Sequence, residues 1–173
     1  MHREICIKSP EGRKLDVLTI TSNLHKKNSY EPMLKNLFPE ECRPNEFDNK
    51  KYMFVSSRVH PGEVPASYIL NGLLKYITSQ DEKDPKIKLL LDNFVFVIIP
   101  ILNPDGVYRG HYRMNTFGQN LNRHYQNPTL EKSPEMYAVN SILEDLTKKK
   151  KLFMYLDLHA HINIRNCFLF GNH

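Results

Sequence analysis

Residues 94–102, FVFVIIPIL, carry neither a charge nor a polar side chain. A strand with one wet face alternates apolar and polar residues, so an unbroken run calls for a strand covered on both faces, as in the parallel sheet of an α/β protein. The run falls far short of the ~20 residues that cross a bilayer as a helix. It stops at Asn103-Pro104-Asp105-Gly106, a strong turn signal.

The flanking sequence supplies what such a sheet needs. YMFVSSRV (52–59) reads as a second strand. Ala66, Ile69, Leu70, Leu73, Leu74 and Ile77 then recur at helical spacing, and Pro65 suits the first turn of that helix. Asp84-Pro85 opens a short helix reaching about Asp92, and Ser133-Pro134-Glu135 opens another that carries Met136, Val139, Ile142, Leu143 and Leu146. Its end, Lys148 to Lys151, reads as a solvated helix terminus whose charge suits the dipole, not as a nucleic-acid patch. LFMYLDL (152–158) is a further strand, and CFLFG (167–171) reads as one more. REICIKSPEGRKLDVLTIT sets two β-rich runs about Ser9-Pro10-Glu11-Gly12, a hairpin. Residues 22–50, with Pro32, Pro39 and Pro44, read as an irregular surface excursion holding at most a short helix. Residues 107–132 form a polar loop longer than compact domains usually keep without purpose. The expected fold is α/β, a mixed, largely parallel sheet flanked by helices.

At 173 residues the chain is about one domain long. Twenty-four Lys and Arg against 19 Asp and Glu give a formal charge of +5, which favours acidic partners without naming one. Cys6, Cys42 and Cys167 are odd in number, widely separated and hold no CxxC pair, so they give no sign of a disulfide framework or a Cys-rich zinc site and point to a reducing compartment. The N-terminus has no apolar run of the signal-peptide kind, so a soluble, cytosolic chain is expected, with neither membrane nor nucleic acid as partner. The oligomeric state is not legible.

Three polar clusters follow the three core strands: His60 to Glu63, Asn103 to Arg123, and His159 to His161. In open α/β sheets ligands bind beyond the carboxyl ends of the strands, so the clusters are expected to face one pocket. Hydrolytic zinc takes three nitrogen or carboxylate ligands at about 2.0 to 2.2 Å and keeps one position for water. His60, Glu63 and His159 can supply that set, with Pro61 and Gly62 making the tight turn between the first two. HxxE alone is a common turn with a surface carboxylate, and a lone histidine is more often structural; it is their combination that points to metal. Asp157, two residues before His159, is placed to orient it or a neighbour. Arg113 and Arg123 offer guanidinium forks for carboxylates, with Asn122 beside the second. His111, His124 and His161 are left unassigned.

Taken in order, HPGE, NPDG, GHYR, NLNRHY and LDLHAH resemble the motifs of the M14 zinc carboxypeptidases. With DVLTIT and SSRVHPGE added, the wording is closest to the cytosolic carboxypeptidase branch, from about residue 3 to the end. The resemblance implies one Zn2+ per chain on His60, Glu63 and His159, Asn122 and Arg123 on the substrate's terminal carboxylate, and Arg113 polarising the scissile carbonyl. It implies hydrolysis of C-terminal amino acids by zinc-activated water. For this branch those are glutamates on polyglutamylated tubulin or other acidic tails, in the cytoplasm and in association with microtubules.

The pattern is incomplete. The family's general-base glutamate and capping tyrosine belong to a C-terminal segment that CFLFGNH does not reach. Residues 1–25 are accordingly expected to be the hairpin remnant of a preceding β-rich domain, or its junction, and 26–173 the N-terminal part of a catalytic domain incomplete at its C-terminus. Two alternatives stand beside the peptidase: a truncated, inactive zinc-bearing module that grips acidic tails, and a related zinc amidohydrolase or deacylase.

Overall fold

The computed structural model describes residues 1–40, 42–79 and 84–171. The apolar run forms strand β6, Phe94–Ile99, and alternate side chains enter opposite cores: Val95, Val97 and Ile99 on one side, Phe96 and Ile98 on the other. That double burial is why the run carries no polar residue. β6 is the middle strand of a five-stranded sheet ordered β1-β2-β6-β5-β7, with β1 at His2–Lys8, β2 at Lys14–Ile20, β5 at Lys51–Ser57 and β7 at Leu152–Leu158. β5 runs parallel to both β6 and β7, whereas the pairs β1–β2 and β2–β6 are antiparallel. The sheet is mixed, with a parallel half that holds all three strands preceding the polar clusters.

The opening hairpin belongs to this same sheet, since Leu18, Thr19 and Ile20 of β2 pair with Ile98, Val97 and Phe96 of β6. Helix α1 (Pro65–Ile77) and helix α2 (Pro85–Asn93) cover one face of the sheet; the short helix α3 (Pro104–Tyr108) follows β6, and α4 (Pro134–Lys148) covers the other face. From α4, Met136, Val139, Ile142 and Leu146 meet Val95, Val97 and Ile99. From α1, Leu70 and Ile77 meet Val55, Phe96 and Ile98. Ile69, at the flank of the predicted stripe, is instead 51 % exposed. Among the described residues no helix is long and apolar enough to cross a membrane.

Three expectations are corrected. The 22–50 excursion contains no helix among its described residues; it forms a two-stranded antiparallel sheet of β3 (Lys26–Tyr30) and β4 (Asn45–Phe47) and buries Leu37, Phe38 and Phe47 in the α4-side core. CFLFG is not a strand: Leu169 and Phe170 are 85 % and 81 % exposed, and a strand requires a neighbour to take its backbone hydrogen bonds. The lysine run is only partly solvated. Lys149 Nζ lies 2.6 Å from Asp145 and 2.8 Å from Glu31, and Lys151 Nζ donates to the Phe47 carbonyl at 3.0 Å, so the helix end is stapled to the excursion.

Glu135, in the first turn of α4, is 1 % exposed, and its Oε2 has no hydrogen-bond partner among the described residues. Burial pushes its carboxyl up to about 7 from 4.5, with the charge of Asp105 adding to the rise and its own backbone N–H opposing it. A folded value above the unfolded one gives stability that is present below the unfolded value and lost as pH rises through the folded value, here roughly 3 kcal/mol in all. Glu135→Gln should therefore unfold at higher urea than wild type at pH 8 and at nearly the same urea at pH 5. An equal difference at both pH values would refute this.

Candidate metal centre

Because β5, β6 and β7 run parallel, their carboxyl ends share one edge of the sheet, and His60 and His159 leave it just past β5 and β7. The turn after β5 is tightly braced. Arg58 takes the left-handed φ of 60°, and its guanidinium donates to the Pro61 carbonyl from Nε at 3.0 Å and from Nη2 at 2.6 Å, and to Ser67 Oγ at 2.9 Å. Asn103 donates to the Arg58 carbonyl from its backbone N–H at 3.2 Å and to the Val59 carbonyl from Nδ2 at 3.3 Å. Gly62 N–H donates to the Tyr112 carbonyl at 2.8 Å, and a Cβ at Gly62 would stand 2.7 Å from that same oxygen. So the HPGE turn is pressed between the turn after β6 and the start of the long loop.

The turn returns Glu63 over His60. Glu63 Oε1 is 2.8 Å from His60 Nδ1, and Oε2 is 3.0 Å from His159 Nδ1 and accepts the Ala160 N–H at 2.8 Å. The far ring nitrogens also meet acceptors: His60 Nε2 is 3.0 Å from Asn120 Oδ1, and His159 Nε2 is 2.8 Å from Asp157 Oδ2. A neutral imidazole has one N–H, so two neutral rings hold two protons for four acceptors. With the Nε2 protons given outward, both Nδ1 lone pairs and the Glu63 carboxylate converge on one place, an arrangement that needs a proton or a cation between them. One ligand atom from each of the three residues lies within 4.8 Å of the others. The donor set, two imidazole nitrogens and one carboxylate, fits zinc.

The electrostatics agree. Hydrogen bonds to Asp157 and then to Glu63 raise His159 to about 9 against the opposing effect of burial. Burial alone would raise the Glu63 carboxyl, but the hydrogen bonds from His159, His60 and the Ala160 N–H outweigh it and hold Glu63 well below the usual carboxylate range.

Arg113 Nη1 is 3.8 Å from Glu63 Oε1 with the side chain 39 % exposed, so it is at the site and open to solvent. Asn122 and Arg123 lie on a 3-10 turn, Leu121–Arg123, and Arg123 Nη1 donates to the Asn122 carbonyl at 3.2 Å. Asn120, which sequence reasoning passed over inside NLNRHY, joins that turn to the cluster, because its Oδ1 faces His60 Nε2 and also accepts the Asn122 N–H at 3.1 Å. His111 faces the Met114 carbonyl and His161 Nδ1 accepts the Asn163 and Ile164 N–H groups, so neither joins the cluster; His124 ends the 3-10 turn. Asp105 is buried and binds the opening hairpin: it accepts from Ser9 Oγ at 2.6 Å, Glu11 N–H at 2.9 Å and Arg13 Nη1 at 2.8 Å. The hairpin thereby props the turn that carries Asn103.

Two imidazoles and one carboxylate at the carboxyl edge of a parallel half-sheet define an α/β protein with a site suited to zinc. The chain belongs to the zinc carboxypeptidase family, whose family model matches residues 2–167. It is 46 % identical over 144 residues to cytosolic carboxypeptidase-like protein 5 of Danio rerio, a match covering 82 % of this chain and 16 % of that protein. It is 42 % identical over 164 residues to the protein of the same name in Homo sapiens, covering 94 % of this chain and 17 % of that protein. Among solved structures, the metallo-carboxypeptidase of Burkholderia cenocepacia superposes with a TM-score of 0.70 at 30 % identity, covering 92 % of this chain and 36 % of that one. The chain thus spans about a sixth of the length of these two curated relatives.

Proposed function

We propose that this chain carries the metal-binding and carboxylate-binding part of a zinc carboxypeptidase that removes C-terminal glutamates from polyglutamylated tails, tubulin among them. The observation that supports the reading most is the convergence of His60 Nδ1, His159 Nδ1 and the Glu63 carboxylate, with each far ring nitrogen already facing an acceptor. These three residues would hold one Zn2+. A zinc ion in such a site activates water and polarises a carbonyl at neutral pH. Arg113, beside Glu63 and solvent-accessible, would meet negative charge developing on the substrate carbonyl, a type of contact worth about 3 to 4 kcal/mol. Asn122 and Arg123 would bind the terminal carboxylate.

Substrate acidity is supported by the loop itself. From Val107 to Leu130 the chain has Arg109, Arg113 and Arg123 and no Asp or Glu; Arg109 pairs with Glu11, so Arg113 beside Glu63 and Arg123 on the 3-10 turn are the charges that would favour an acidic substrate. A cytoplasmic location agrees with the name of the relatives, and attachment to microtubules follows from the proposed substrate. One observation favours the binding-only alternative for this chain by itself. Glu63 and Asp157, the carboxylates hydrogen-bonded at the cluster, are both engaged by histidines, which leaves neither placed as a general base.

The test is elemental zinc analysis together with free-glutamate release from a polyglutamylated tail peptide, with an apolar-ended peptide alongside. Near-stoichiometric zinc and preferential glutamate release are expected of the complete enzyme. Preference for the apolar end would refute the substrate, zinc and tight peptide binding without release would favour the binding module, and no zinc in a folded chain would refute the site.

A further inference from the structure

We infer that Ser56, Tyr125 and Tyr155, three hydroxyl residues from three separate segments, are positioning residues that clamp Asp157 against His159 and so aim that imidazole at the metal position. The inference rests on the zinc reading above and extends it to residues outside the ligand set.

Ser56 is fully buried on β5 directly opposite Asp157 of β7, and its Oγ donates to Asp157 Oδ1 at 2.5 Å, the short length of a charge-assisted hydrogen bond. Tyr125 comes from the long loop, two residues past Arg123, and its hydroxyl donates to Asp157 Oδ2 at 3.2 Å. Tyr155, on β7, closes the ring, with its hydroxyl 2.8 Å from both Ser56 Oγ and the Tyr125 hydroxyl. Asp157 Oδ2 is also the acceptor for His159 Nε2 at 2.8 Å.

The ring has four oxygen–oxygen contacts and three hydroxyl protons. Ser56 and Tyr125 direct theirs to Asp157, and the single proton of Tyr155 serves one of those two hydroxyls at a time. Asp157 therefore meets donors on both oxygens from two directions and cannot swing away from the histidine. A fixed acceptor at Nε2 keeps the imidazole proton there and leaves the Nδ1 lone pair facing Glu63. Tyr125 is itself anchored, because Asn140 Nδ2 of α4 donates to its carbonyl. The loop that carries Asn122 and Arg123 thus shares an anchor with the ligand His159, which couples carboxylate capture to metal geometry.

The test is Zn2+ affinity by chelator competition on the full chain, for wild type, Ser56→Ala, Tyr125→Phe and Tyr155→Phe, with metal-free melting temperatures and the visible spectra of the Co2+ forms. Ser56→Ala and Tyr125→Phe should each weaken Zn2+ by ~10- to 100-fold and shift the Co2+ bands, and Tyr155→Phe should do so less than either. Wild-type affinity and spectra in both of the first two, or affinity losses that only follow a fall in metal-free melting, would overturn the inference. If the wholly buried Ser56→Ala fails to fold, Tyr125→Phe, at a half-buried position, decides alone. A folded wild type without Zn2+ affinity would instead overturn the zinc reading on which the inference rests.

Discussion

Glu63→Gln is expected to abolish stoichiometric zinc, lowering affinity by more than the ~100-fold that marks the upper end of losing an outer-sphere partner. The substitution keeps shape and volume, so the loss comes from chemistry. Glu63 makes three contacts through its two oxygens: it faces His60 Nδ1 and His159 Nδ1 and accepts the Ala160 N–H. An amide retains one acceptor oxygen, carries no charge, and puts an NH2 group where a ligand lone pair or an N–H already points. The metal would lose its single anionic ligand while two imidazoles stayed in place. Zinc per chain after dialysis reads this directly, and wild-type content in the variant would show that the donor set is wrong. Metal-free melting separates this from unfolding, since the variant should still fold.

Gly106→Ala is expected to damage the site without touching any ligand. A Cβ there would stand 2.4 Å from Pro61 Cγ and 2.7 Å from Asn103 Oδ1, the oxygen that accepts the Gly106 N–H at 3.0 Å. Carbon atoms rest about 3.5 to 4.0 Å apart, so something must move by about 1 Å. Pro61 is a ring between His60 and Glu63, and Asn103 caps α3, so neither yields cheaply. Overpacking of this kind costs about 1 to 3 kcal/mol, and a displacement of ~1 Å in a catalytic constellation costs about a hundredfold in rate. A lower urea midpoint, weaker zinc binding and, under the function proposed above, about a hundredfold slower turnover are the expected results. The comparison is Gly72→Ala on the exposed side of α1, where a Cβ meets nothing within 4 Å and the loss of a helical glycine should add about 0.5 to 1 kcal/mol. Equal effects at the two glycines would refute the steric account.

What could be read without coordinates was local chemistry. The apolar run at β6 announced a strand buried on both faces, the stripe from Ala66 to Ile77 announced a helix on a core, and HPGE and LDLHAH stood where strands of a parallel sheet end. Each is a pattern whose period or spacing is set by neighbours within a few residues. CFLFG failed for the complementary reason, since its composition matches that of a strand but a strand exists only with a hydrogen-bonding neighbour. Lys149 and Lys151 failed likewise, because Glu31 and the Phe47 carbonyl are more than a hundred residues away in the chain.

Sequence alone therefore determined the α/β layering and the pairing of His60 with Glu63 across a tight turn, because periodicity and turn chemistry are short-range, while His159 was added by the combination of motifs and not by any local pattern. Tertiary structure alone decided how those residues are aimed: Asn120 on His60, the Ser56–Tyr125–Tyr155 ring on Asp157, and the hairpin on Asp105. These contacts join ordinary polar residues between 30 and 101 positions apart, and a hydrogen bond across that separation leaves no periodic mark on the chain that makes it.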